Sequence, residues 1–157
     1  MHETAAEAVV KKLKDAGMTV TTVESCTGGL LSGTLVDVSG ASDVFYQGVV
    51  TYANEAKVRL VGVKEATLQA HGAVSEETAR EMAEGGAKAA NADAALAVTG
   101  IAGPGGGTKE KPVGLVYIGC YVNGKTIVKK NLFTGNRREV REQAVETALK
   151  LLLECLP

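Results

Sequence analysis

With 157 residues, 45% of them hydrophobic, the chain has material for a substantial core, and residues 1–157 are read as a single domain. A net charge of -1 leaves no electrostatic footprint for nucleic acid or an anionic membrane. No apolar run nears membrane-spanning length and no signal-peptide pattern opens the chain, so a cytoplasmic protein is expected.

Thr4, with Glu7 three residues on, has the pattern of a capping box. Ala6, Val9, Val10 and Leu13 give the following helix a buried face, which Gly17 ends. The β-branched run 19–23 reads as a buried parallel strand. Small polar residues and two glycines then turn the chain into a helix with Leu30, Leu31, Thr34 and Leu35 at helical spacing, running to about Val38. Residues 39–43 read as a loop and 44–52 as a second strand, with Gly48 marking a bulge or a close approach. Asn54 is expected to cap a short helix carrying Lys57, Val58 and Leu60; residues 64–70 read as another helical segment, and His71-Gly72 as a turn. Ser75 opens a helix that keeps an alanine-rich face to about Ala90. A buried strand at 92–98 leads into a loop at 99–112 rich in glycine. Strands at 114–122 and 125–133 flank Asn123-Gly124, a two-residue hairpin signal. After a loop at 134–136, a final helix over 137–153 carries an apolar stripe at Val140, Ala144, Ala148 and Leu151. This order predicts an α/β fold: a three-layer α/β/α sandwich on a mixed, mostly parallel sheet with one antiparallel strand from the hairpin.

A strand that turns into a helix presents its turn at the C-terminal edge of the sheet, beside the helix's free amides and positive dipole end. The Ser25 hydroxyl and the Cys26 thiol in that turn are placed like nucleophiles; alternatively, Ser25 or Thr27 caps the helix. The glycine loop, with Gly100, Gly103, Gly105 and Gly106, should reach the same edge if its strand runs parallel to the first. It is neither a dinucleotide fingerprint nor a P-loop, and reads as a phosphate cradle or a surface lid. Lys57 follows the second strand; it serves a serine as base only if its pKa falls to about 7–8, and is otherwise a solvated helix lysine. Ser42 and Tyr52 flank the same cleft and either relay protons, orient a ligand or satisfy backbone groups. Arg137, Arg138 and Arg141 crowd a helix N-terminus that disfavours cations, which points to an anionic ligand or neighbour, or else to a solvated face. The cysteines Cys26, Cys120 and Cys155 lack metal spacing and are expected as reduced thiols; with two histidines, a histidine-rich metal site is not expected and histidine bases are few.

Five strings occur in order: Thr22-Val-Glu24-Ser25-Cys26-Thr27-Gly28-Gly29, Thr51-Tyr52-Ala-Asn54-Glu-Ala-Lys57, His71-Gly72-Ala73-Val74-Ser75, Thr99-Gly100-Ile101-Ala102-Gly103-Pro104-Gly105-Gly106 and Lys111-Pro112-Val113-Gly114. Together they resemble the CinA C-terminal domain family, whose stand-alone members include PncC-type nicotinamide-nucleotide amidohydrolases. The resemblance implies a three-layer α/β/α domain and hydrolysis of nicotinamide mononucleotide to nicotinate mononucleotide and ammonia, with no metal or organic cofactor. Carried onto this sequence, the family's nucleophile falls on Ser25, its lysine on Lys57, a supporting serine on Ser42 and a hydroxyl position on Thr99. Lys57 would take the Ser25 proton directly or through Ser42. Backbone amides at Cys26, Thr27 or Gly28 would hold the oxyanion, with Gly29 in the same substrate-binding turn. The substrate phosphate would lie on the glycine loop with Arg137 or Arg141, beside Tyr52. The expected partner is a nucleotide, with neither nucleic acid nor membrane, and self-association is compatible with the sequence. Two alternatives stand beside this reading: Cys26 as nucleophile, and a non-catalytic nucleotide-binding module related to competence or DNA damage.

Overall fold

A computed structural model describes residues 2–157. In α1 (Ala5–Ala16), Thr4 Oγ1 accepts from the Glu7 amide and the Glu7 carboxylate accepts from the Thr4 amide, the reciprocal box expected there. There follow β1 (Val20–Glu24), α2 (Leu30–Val36), β2 (Phe45–Val50), α3 (Asn54–Val61), α4 (Glu65–His71), α5 (Glu76–Ala90), β3 (Ala94–Gly100), β4 (Leu115–Val122), β5 (Lys125–Leu132) and α6 (Arg137–Cys155). The periodicities predict this order, and the differences lie at the ends. α2 stops at Val36, and Ala41–Asp43 forms a 3-10 turn inside the expected loop. Asn54 caps nothing: Ala53 holds the N-cap position and Asn54 is the first helical residue. α6 starts from a reciprocal Asn136–Glu139 capping box that the sequence reading passes over.

One sheet has the order β2-β1-β3-β4-β5. β1 pairs in parallel with β2 and β3, while β4 is antiparallel to both β3 and β5, so β4 alone runs against the other four strands. All five residues of β1 are buried, as suits a strand with neighbours on both sides and helices on both faces. On one face α1, α2 and α6 bring Leu13, Leu35 and Leu149 against Val20, Leu96 and Ile118. On the other, Val61 of α3 and Met82 and Ala83 of α5 cover Val23 and Ala97. α5 lies close to the sheet: a Cβ on Gly119 of β4 would stand 2.6 Å from the Ala79 carbonyl oxygen. Gly48 is also a close approach, since a Cβ there would run into the hydroxyls of Thr22 and Ser32. The register then fixes the functional edge. Glu24 is opposite Val50 on one side and Val98 on the other, so β1, β2 and β3 deliver the residues that follow them to one place.

Candidate active site

The first loop at that edge is the turn after β1. The Ser25 amide donates to the Val98 carbonyl at 2.9 Å, which fastens the turn to β3. Gly28 and Gly29 have φ of 56 and 104, a region open to glycine, and lead the chain into α2. Gly29 is the N-cap position, without a side-chain bond, so neither Ser25 nor Thr27 caps the helix. The cap is Glu24, a residue whose role the sequence reading missed. Its carboxylate is fully buried and accepts from the Leu31 and Ser32 amides, both at 2.9 Å, and from the Ser32 hydroxyl at 2.7 Å. The amides of α2, expected to lie open to an anion, are therefore occupied by an internal carboxylate. An acidic residue between a strand and a small-residue turn was the available signal.

Arg141 holds the same turn from α6. Its guanidinium donates to the carbonyls of Cys26 and Thr27, each at 2.9 Å. It does not line the cavity described below, which corrects its expected place beside a phosphate: its donors serve the turn. Thr27, Gly28 and Gly29 likewise stand behind the cavity rather than in its wall, and Thr27 Oγ1 is buried without a partner.

Lys57 enters from α3 and is among the largest fully buried side chains, at 1% exposure. Its Nζ donates to the Thr51 carbonyl at 2.7 Å, to Ser25 Oγ at 3.1 Å and more weakly to the Tyr52 carbonyl at 3.4 Å. No carboxylate pairs with it among the described residues. Burial without a counter-charge disfavours the ammonium, and its pKa is lowered from 10.5 to about 8, with the neighbouring Cys26 thiol opposing the shift slightly. Desolvation acts oppositely on the Cys26 thiol, raising it to about 11, so Cys26 is protonated near neutral pH. This removes the thiolate on which its candidacy as nucleophile rests.

A cavity of about 270 Å3 opens in front of this pair. Ser25, Cys26, Tyr52, Lys57, Thr99, Gly100, Gly103, Gly105, Gly106 and Arg137 all line it, together with Ala73, Val74, Ile101 and Ala102. The last four were not singled out as site residues, because they carry no side-chain chemistry. Thr99 Oγ1 donates to the Ala73 carbonyl at 2.8 Å, tying β3 to the segment before α5. In the glycine loop the amides of Gly103, Gly105 and Gly106 have no acceptor among the described residues, whereas the Ile101 and Thr108 amides are taken by Leu115 and Lys111. Arg137 donates to the Gly103 carbonyl at 2.9 Å and to the Tyr52 hydroxyl at 3.2 Å, so one side chain joins three elements around the mouth.

Ser42 is not brought to this site. It lies exposed in the 3-10 turn that precedes β2, and β2 runs parallel to β1. The length of a strand, ~16 Å, separates that end of the sheet from the Ser25 edge. A proton relay through Ser42 is therefore corrected: Lys57 contacts Ser25 directly.

The CinA C-terminal domain family model matches residues 2–156. A CinA-like protein of Kosmotoga olearia is 54% identical over 155 residues, a match covering 99% of this chain and 38% of that protein. The chain thus spans less than two fifths of the length of that relative. Among solved structures, the competence/damage inducible protein CihA from Agrobacterium tumefaciens superposes with a TM-score of 0.94 at 41% identity, covering 98% of each chain. A CinA superfamily protein from Escherichia coli gives a TM-score of 0.94 at 34% identity, covering 97% of this chain and 88% of the other.

Proposed function

This chain belongs to the CinA C-terminal domain family, and from that membership together with its buried serine–lysine pair we propose that it hydrolyses the carboxamide of nicotinamide mononucleotide to nicotinate mononucleotide and ammonia. The observation that carries the reading is the 3.1 Å contact of an uncompensated Lys57 amine with Ser25 Oγ. An aromatic carboxamide is a poor electrophile, so splitting its hydrolysis into acylation and deacylation lowers the barrier. Neutral Lys57 takes the Ser25 proton as Oγ attacks the amide carbon. The oxyanion forms beside the Cys26 amide, which has no backbone acceptor among the described residues; the Gly28 amide is already given to the Ser25 carbonyl at 3.1 Å. Protonated Lys57 then delivers its proton to the departing ammonia. Water, deprotonated by the same amine, cleaves the nicotinoyl ester and frees Ser25. The free amides of Gly103, Gly105 and Gly106, next to Arg137, receive the phosphate, and its binding energy positions the small reacting group.

Ammonia release from nicotinamide mononucleotide tests the reading. It is expected from the wild type and not from Ser25→Ala or Lys57→Met. Hydroxylamine added during turnover should intercept the ester as a nicotinoyl hydroxamate; turnover under efficient trapping conditions that yields nicotinate mononucleotide alone would replace the covalent route by direct attack of water. The competence and damage names of the relatives favour a second reading, a non-catalytic nucleotide-binding module. Tight binding of the mononucleotide with no ammonia released would select it.

A further inference from the structure

The first turns of α6 reach the candidate active site; its last residue meets another group. Cys155 ends the helix half-buried, and Cys120 lies on β4 at 1% exposure. The two sulfurs are neighbours, and Cys155 is among the groups that raise the Cys120 thiol's pKa. Both line a second cavity, of about 380 Å3, which they share with Lys125 and Glu154 and with none of the residues around Ser25. We propose that Cys120 and Cys155 form a dithiol site that takes a small disulfide, such as oxidised glutathione, as its reactant and becomes an intrachain disulfide.

Two thiols in the wall of one cavity meet the first requirement for the bond, which joins Cβ atoms about 4 Å apart. The order of events follows from burial. Cys155 is the accessible partner, while burial and the neighbouring sulfur push the Cys120 thiol far above its ordinary range. The Cys155 thiolate attacks one sulfur of the oxidised glutathione, its S–S bond breaks, and one glutathione leaves and takes up a proton. Cys120 then gives up its proton and attacks Cys155 Sγ, expelling the second glutathione. Two thiols are oxidised, one small disulfide is reduced to two thiols, and two protons pass from the cysteines to the leaving groups.

The new bond ties the last turn of α6 to the sheet. Arg137 lies at the other end of the helix, about 27 Å away along its axis, so the candidate active site is left as it is. The bond also closes the loop from residue 120 to 155, which removes freedom from the unfolded chain and should raise Tm by roughly 10 °C.

The full chain is equilibrated with oxidised glutathione at mildly alkaline pH, then assayed by thiol count, non-reducing peptide map and thermal melt. The expected result is loss of two of the three free thiols, a linked pair of peptides containing Cys120 and Cys155, and a Tm rise that dithiothreitol reverses. Cys155→Ala, at a half-buried position that tolerates the change, should show neither the link nor the rise. Cys120→Ala should stop at one glutathionyl group on Cys155. Retention of all three thiols, a link through Cys26 or between chains, or the same Tm rise in Cys155→Ala would overturn the proposal.

Discussion

Replacing Lys57 by methionine should make the protein's stability less dependent on pH. Methionine keeps the unbranched shape of the buried lysine and removes its titration. In the folded protein the amine has a pKa of about 8, against 10.5 for an unperturbed lysine. The unfolded chain therefore binds the proton more tightly. Below pH 8 the folded state carries a charge that burial disfavours, and the cost is fully present there. As pH rises from 8 to 10.5 the folded amine is already neutral and the cost disappears. The cost, taken at one factor of ten per pKa unit, is about 3 kcal/mol at pH 7 and under about 1 kcal/mol at pH 10. The wild type should thus gain about 2 kcal/mol relative to Lys57→Met between pH 7 and pH 10. A pH-independent offset accompanies this, since the variant leaves the Thr51 carbonyl without its 2.7 Å donor, at about 1–3 kcal/mol. The variant is expected to match or exceed the wild type at pH 7 and to fall behind it by pH 10. Denaturant unfolding of both proteins at four pH values measures the difference, and the other titrating groups cancel in it. Two stability curves that stay parallel within about 0.5 kcal/mol would show that Lys57 has an ordinary pKa, and the general-base reading would fall with it.

The same pKa predicts that amidase kcat/KM rises with pH through about 8 and then levels off, and that Lys57→Arg loses about 10²-fold or more, because a guanidinium stays protonated; substantial activity in the arginine variant would remove Lys57 as base. At Gly105 a Cβ meets nothing within 4 Å, so Gly105→Ala should weaken mononucleotide binding severalfold without lowering Tm. At Gly103 a Cβ would strike Val113 and φ is 84, so Gly103→Ala should lower Tm as well. Equal kcat/KM for nicotinamide riboside and the mononucleotide would show that the loop holds no phosphate. Ser42→Ala should leave kcat/KM within about twofold, as for an exposed residue remote from the site; a loss as large as that of Ser25→Ala would return Ser42 to the mechanism.

What the sequence could convey was set by the range of the interactions involved. The capping residues Thr4 and Ser75, the hairpin at Asn123-Gly124 and the alternation of helix and strand are local, and they were legible. Parallel pairing of β1 and β3 followed from the buried strands and put Ser25 and the glycine loop on one edge. Ser42 was misplaced because sequence proximity to a strand does not say which end of the sheet a loop occupies; the parallel direction of β2 decides that. Arg141 looked like an anion ligand because its charge sits early in a helix, and only the tertiary contact shows that two carbonyls of a distant turn already hold it. Glu24 was overlooked for the opposite reason: it stands in a strand, and its partners seven and eight residues on come within reach only once the turn is made.

The depressed pKa of Lys57 depends on where Glu24 points. Both groups are ionisable, both are buried, and both belong to elements that meet at the same sheet edge. Had they paired, the carboxylate would have favoured the ammonium, and the lysine's pKa would not have fallen. The alternation of β1 keeps them apart. Thr22 and Glu24 face α2, where Ser32 receives both, while Val23 faces the layer of α3 and α5 from which Lys57 enters. Glu24 is satisfied by three donors of α2, so its carboxylate holds the turn after β1 in shape. Lys57 finds carbonyls and one hydroxyl, acceptors that position its amine without fixing its proton. One strand thus separates the two groups: on one face a carboxylate builds the turn, and on the other desolvation lowers the pKa of a lysine.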